Sequence, residues 1–155
     1  MDCNIEIFEL CEVQQEYVPA IGALLAQLSS SPRCFTLEML AGIVECPASH
    51  LFLALCDGAV KGMLTLGEYV APTGRKMWVE DVVVDDSVRG CGVGRRLVEH
   101  AIGFAKELGG GSLMLTSRPS RVAANALYRS CGFGHRETNV YKMDVELGCG
   151  VIPTK

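Results

Sequence analysis

Residues 82 to 96 read Val82-Val83-Val84-Asp85-Asp86-Ser87-Val88-Arg89-Gly90-Cys91-Gly92-Val93-Gly94-Arg95-Arg96. Three β-branched residues in succession suit a buried strand. Beyond the glycines, Leu97, Val98, Ala101, Ile102, Ala105 and Leu108 recur at helical spacing, so a strand runs through a glycine-rich bend into a helix. Gly90, Gly92 and Gly94 carry no side chains to hold a ligand off the backbone, and the bend opens on the unpaired N–H groups of the helix start. The partial charge there, about half a proton unit, adds to Arg89, Arg95 and Arg96 and makes phosphate the expected anion.

Two phosphate motifs are excluded. The stretch lacks the Lys and hydroxyl of G-x-x-x-x-G-K-[ST], and a dinucleotide fingerprint starting at Gly90 would need glycine where Arg95 stands. What fits is R-x-x-G-x-G, formed by Arg89, Gly92 and Gly94 after the valine run. With Val79-Glu80-Asp81-Val82-Val83-Val84 before it and Asn125-Ala126-Leu127-Tyr128-Arg129-Ser130-Cys131-Gly132-Phe133 after it, the chain resembles the GNAT superfamily of acetyl-CoA-dependent N-acetyltransferases. The resemblance spans roughly residues 50 to 143 and rests on three motifs in the right order.

The length of 155 residues suits one domain, residues 1 to 155, and 49% hydrophobic with 21% charged residues suits a globular core. A net charge of −4 argues against nucleic acid as a main partner. The cysteines (Cys3, Cys11, Cys34, Cys46, Cys56, Cys91, Cys131 and Cys149) form no C-x-x-C pair and sit mostly in apolar runs, which suits free thiols in a reducing cytosol. His50, His100 and His135 are too scattered to complete a metal site with them, so no metal is expected. No signal peptide or membrane span is visible.

Along the chain, residues 5 to 10 suggest a strand, and Val18, Ile21, Leu24, Leu25 and Leu28 a helix. Thr36 is placed to cap a second helix that stops before Pro47. Residues 51 to 56 and 60 to 69 read as a hairpin turned at Asp57-Gly58, with 71 to 76 a polar loop into the next strand. Gly109-Gly110-Gly111 ends the long helix, residues 113 to 116 form a strand, and Arg121 to Ser130 a helix. A last strand, about Thr138 to Val145, is expected to pair back into the sheet, with a loose tail from about residue 147. The fold expected is α/β (α+β): a GNAT-like mixed, mostly antiparallel sheet of six to seven strands flanked by about four helices.

The resemblance implies that the backbone around Arg89, Gly90, Cys91, Gly92, Val93, Gly94 and Arg95 binds the coenzyme A pyrophosphate, and that Val82, Val83 and Val84 line the pantetheine arm. A lysine-like amine of pKa about 10.4 lies some three units from neutrality at pH 7.4, about 4 kcal/mol, so a base is useful. Glu80 matches the position of a family glutamate that takes this proton directly or through water. Strict alternation puts Glu80 on one face with Val82 and Val84 and Asp81 on the other, and a bulge in this strand, which the resemblance implies, would exchange the two faces and promote Asp81 as the base. A carboxylate that is merely solvated or ion-paired is the competing reading.

Tyr128 matches the family tyrosine whose hydroxyl reaches the coenzyme sulfur, although a tyrosine on an apolar helical face also suits a core. The family asparagine falls where Arg121 stands, and this chain has Asn125 instead, open between a pantetheine contact and a polar surface role. Arg118 and Arg121 suit an acidic group on acceptor or coenzyme, or solvent, with Ser120 as a helix cap. Cys91 has no histidine base nearby in sequence, which favours direct transfer over an acyl-enzyme.

The implied activity is transfer of acetyl from acetyl-CoA to a primary amine by direct attack. A further likeness of V-E-D-V-V-V before R-G-x-x-x-G to glucosamine-6-phosphate N-acetyltransferases leaves the acceptor open among amino sugar phosphates, small amines and protein amines. A non-catalytic acyl-CoA-binding sensor and a nucleotide-binding protein are the alternatives, and a homodimer is an expectation from the resemblance alone.

Overall fold

The computed structural model describes residues 4–31 and 34–146. Its sheet has five strands in sequence order: β1 (Ile5–Glu9), β2 (Ser49–Cys56), β3 (Ala59–Ala71), β4 (Gly74–Val84) and β5 (Ser112–Met114). The first three pairings are antiparallel and β4–β5 is parallel. Four helices accompany it: α1 (Val18–Leu28), α2 (Leu37–Val44), α3 (Val93–Glu107) and α4 (Val122–Ser130).

The sheet is buried on both faces, which explains why Leu51, Phe52, Leu53 and Ala54 form an unbroken apolar run in β2. Phe52, Leu64, Leu66, Met77 and Val79 pack with Leu97, Val98 and Ala101 of α3. On the other face Leu51, Leu53, Met63 and Val83 meet Ile21 and Leu24 of α1 and Leu40 of α2. Thr36 caps α2 by accepting from the Met39 N–H at 3.2 Å.

Asp57 and Gly58 turn the β2–β3 hairpin with φ of 50° and 82°, the left-handed pair that this tight turn requires. The polar loop expected over residues 71 to 76 is shorter than that. Ala71 pairs with Gly74, so only Pro72 and Thr73 lie outside the ladder.

Two glycines set how closely elements approach. A Cβ on Gly62 would lie 3.0 Å from Leu97 Cδ1 and 3.1 Å from Val93 Cγ1, so α3 sits directly against the β3 backbone. A Cβ on Gly111 would lie 2.7 Å from the Arg75 carbonyl oxygen, and Gly111 also has φ of 137°.

The last strand expected at Thr138 to Val145 does not form, and the described residues hold five strands rather than six or seven. Val140, Tyr141, Met143 and Val145 are 71–88% exposed. The alternation of Tyr141, Met143 and Val145 suits a strand, but β5 is three residues long and offers few backbone groups to seed another ladder. The expected tail from 147 lies outside the described residues.

Candidate active site

β4 and β5 are joined only through Lys76↔Ser112, Met77↔Leu113 and Trp78↔Met114. Beyond that point they part, and the edge of β4 from Val79 to Val84 has no strand beside it among the described residues. Unpaired peptide groups along such an edge are free to bond an extended ligand.

Glu80 stands just past the parting. The β3–β4 register slips between Met63 and Thr65, Asp81 takes φ of 50°, and one extra residue is accommodated in β4. The bulge overturns simple alternation: Val82 and Val84 pack towards α3, whereas Glu80, opposite Thr65, shares the face of Met63 and Val83 towards α1. Glu80 is exposed, yet partial desolvation of its carboxyl first, and the adjacent Asp81 charge second, push it above its ordinary pKa. Val83 is itself core, so only Val82 and Val84, both partly buried, keep side-chain surface available.

The bend after β4 begins with a short 3-10 turn at Asp86–Val88. Asp85 accepts from both the backbone N–H (2.9 Å) and the hydroxyl of Ser87, accepts from Gln27 at 3.2 Å, and pairs with Lys61 at 3.5 Å. These partners, led by Ser87, hold its carboxyl well below the usual range. Asp followed two residues later by a hydroxyl residue is a local turn signal; Gln27 and Lys61 had none in the sequence.

Gly90 and Gly92 both have φ of 84°, and Gly92 is the N-cap of α3. Built Cβ atoms at either would meet nothing within 4 Å, so the requirement for glycine here is conformational and the space above the bend is open. Gly94 differs, since a Cβ there would come within 3.3 Å of Leu127 Cδ2. The N–H groups of Gly92, Val93, Gly94 and Arg95 have no backbone acceptor among the described residues. Val93 is buried beneath the helix start, and Cys91 is exposed, its N–H bonded to the Val88 carbonyl.

The arginine side chains contribute less than their number suggests. Arg89 pairs with Asp86 at 2.5 Å, and Arg95 reaches Glu99 at 3.4 Å and the Ser130 hydroxyl at 2.7 Å. The positive character of the bend therefore rests mainly on the helix start and Arg96.

Tyr128 is 7% exposed and belongs to the core on the α3 side, its ring tilted against Phe133 with centroids 6.1 Å apart. It lines a cavity of about 580 Å³ shared with Trp78, Met114 and Asn125. Burial raises its pKa, with Arg121 opposing. Asn125 donates to the Arg118 and Arg121 carbonyls, each at 2.9 Å, so its NH₂ group holds the loop between β5 and α4. Ser120 is not the cap of α4; that position is Arg121, with no side-chain cap bond.

A second cavity, about 540 Å³, lies between the end of α1 and this loop, bounded by Ser29, Ser30, Ser117, Arg118 and Arg121. Among the described residues no group of three or more His, Cys, Asp or Glu is arranged to hold a metal, and no helix is long and apolar enough to cross a membrane.

Comparison with known proteins identifies the family and the fold. Two proteins of Oryza sativa subsp. japonica are similar over most of their length: Probable glucosamine 6-phosphate N-acetyltransferase 2 is 32% identical over 142 residues, covering 84% of this chain and 82% of that protein. Glucosamine 6-phosphate N-acetyltransferase 1 is 30% identical over 139 residues, covering 84% and 80%. The crystal structure of glucosamine-6-phosphate N-acetyltransferase from Arabidopsis thaliana superposes with a TM-score of 0.76 at 21% identity, over 90% of this chain and 98% of that one, which speaks to the fold. The profile of the Acetyltransferase (GNAT) family matches residues 12–133, and the chain belongs to that family as an N-acetyltransferase.

Proposed function

We propose that this single domain transfers the acetyl group of acetyl-CoA directly to a primary amine of a small molecule or protein in the cytoplasm. The observation that carries the reading is the parting of β4 and β5 immediately before Glu80, with Tyr128 on the α3 side and Glu80 on the α1 side of the same sheet. Acetyl-CoA supplies the acyl group as an activated thioester. The free N–H groups at Gly92 to Arg95 suit its diphosphate, and the unpaired edge at Val82 to Val84 suits the peptide-like groups of its pantetheine arm.

Glu80 takes the proton that the attacking amine must lose, directly or through a water. Glu80 is exposed, and a carboxyl held above its ordinary pKa is a stronger base than one at that value. Tyr128 presents its hydroxyl to the departing thiolate sulfur, to which it donates a proton or a hydrogen bond. No protein group bonds that hydroxyl among the described residues. Nitrogen gains the acyl carbon as the carbon–sulfur bond breaks, so no covalent enzyme intermediate is needed, and Cys91 lacks a base.

The test is release of coenzyme A thiol from acetyl-CoA across a panel of amines. Turnover that falls strongly in Glu80→Gln and Tyr128→Phe supports the reading. Binding of acetyl-CoA without turnover of any amine would instead favour a sensor.

A further inference from the structure

The cavity between the end of α1 and the loop from Thr116 to Arg121 is lined by cationic and hydroxyl side chains in an acidic chain. Among the described residues its wall carries two arginines, Arg118 and Arg121, and the hydroxyl residues Ser29, Ser30, Thr116, Ser117 and Ser120, and no Asp or Glu. Three other arginines are matched to carboxylates, Arg75 to Glu68, Arg89 to Asp86 and Arg95 to Glu99, whereas Arg96, Arg129 and Arg136, like Arg118 and Arg121, form no ion pair among the described residues. Neither the Arg118 nor the Arg121 guanidinium makes an ion pair among the described residues.

The loop is held in shape by its backbone. Asn125 binds both the Arg118 and Arg121 carbonyls at 2.9 Å, and the Arg121 N–H returns to the Arg118 carbonyl at 3.0 Å. Two unmatched guanidiniums therefore stand on a fixed turn. Beside them Ser117, which borders this cavity and the one holding Tyr128, has a buried Oγ with no hydrogen-bond partner among the described residues, which in a folded protein is costly unless something fills the place. Planar forks and hydroxyls together match the oxygens of a phosphate or carboxylate.

None of residues 85 to 96 lines this cavity, so the anion it suits is distinct from the diphosphate assigned to the glycine bend. Resting on the acetyl-transfer reading above, we propose that the acceptor is an amine bearing an anionic group, phosphate or carboxylate, seated between Arg118, Arg121 and Ser117. The cation pair would fix the distance from that anion to the amine and so select among amines.

The experiment compares matched acceptors with acetyl-CoA: glucosamine 6-phosphate against glucosamine, and phosphoethanolamine against ethanolamine. For at least one pair, the phosphorylated amine should have the higher kcat/KM by about tenfold or more, or 1.4 kcal/mol. Arg118→Gln and Arg121→Gln should each erase most of that preference by raising acceptor KM, with the KM for acetyl-CoA unchanged. Equal use of both members of each pair overturns the proposal, as does a rise in the acetyl-CoA KM, which would assign the arginines to the coenzyme.

A binding readout separates the two readings. With desulfo-coenzyme A present, glucose 6-phosphate should raise the Tm of the wild-type chain and fail to do so in Arg121→Gln. Stabilisation without turnover of any amine supports the anion site and sinks acetyl transfer. Turnover of amines without an anion preference, or no stabilisation at all, sinks the anion site.

Discussion

The Gln27 side chain donates to the Asp85 carboxylate at 3.2 Å and accepts from the Asp86 N–H at 2.9 Å, tying the last turn of α1 to the start of the glycine bend. Asp85 also caps the 3-10 turn through Ser87, so one carboxylate positions three parts of the chain. Asp85→Asn should lower stability by about 2 kcal/mol at neutral pH, the scale of lost hydrogen bonds to a charged group, and weaken acetyl-CoA binding. The sign with pH follows from a folded-state pKa below the unfolded one. The contribution is present above the ordinary carboxylate pKa, about 3.9, and fades as pH falls below it, so the Tm values of wild type and variant should converge there.

Glu80 carries the opposite sign. Its folded-state pKa is raised, so ionisation costs stability as pH climbs past the ordinary carboxylate value. Glu80→Gln should therefore leave Tm unchanged or higher at neutral pH while slowing turnover roughly 100-fold. In the wild type, kcat/KM should rise with pH as this carboxyl ionises, and that acidic limb should vanish in the variant. A variant that loses Tm and activity together would point to a structural carboxylate instead.

Tyr128→Phe keeps the ring against Phe133 and removes only the hydroxyl, which no protein group bonds among the described residues. Thermal denaturation should register little change, whereas kcat should fall by about tenfold or more if the hydroxyl serves the leaving sulfur. Restoration of the rate with thioesters of more acidic thiols would confirm that role.

Gly92→Ala places a side chain in open space but at φ of 84°, so its cost is conformational, about 1–2 kcal/mol. Acetyl-CoA affinity measured by titration should drop more than stability, because the same peptide unit starts α3. Gly111→Ala adds a clash with the Arg75 carbonyl to an unfavourable φ. It should lower Tm by about 6 °C or more, without a specific effect on coenzyme affinity.

The passage from valines through glycines into α3 is legible in the sequence because each local preference agrees with its neighbours: β-branching, positive φ and helical spacing. Other features depend on contacts remote in sequence. The resemblance implies a bulge in β4, but its position at Asp81 appears only as a slip against β3, so alternation alone misplaces Glu80 relative to Val82 and Val84. Asn125 has the right residue type to bind a ligand, and only the fold commits its NH₂ group to Arg118 and Arg121. Arg95 is basic and beside the bend, yet Glu99 and Ser130 engage it. Thr138 to Val145 carries strand-like residues whose pairing needs an edge longer than β5 provides.

Gly62 touches neither cavity, yet Leu97 and Val93 rest on its bare α-carbon. A single methyl at this point would press on those two side chains, which would have to give by a few tenths of an ångström at the helix that begins at the glycine bend. The packing beneath the start of α3 is thus gauged by a residue of an interior strand, and on the proposed reading repacking that spot should shift coenzyme affinity without substituting any residue of the glycine bend.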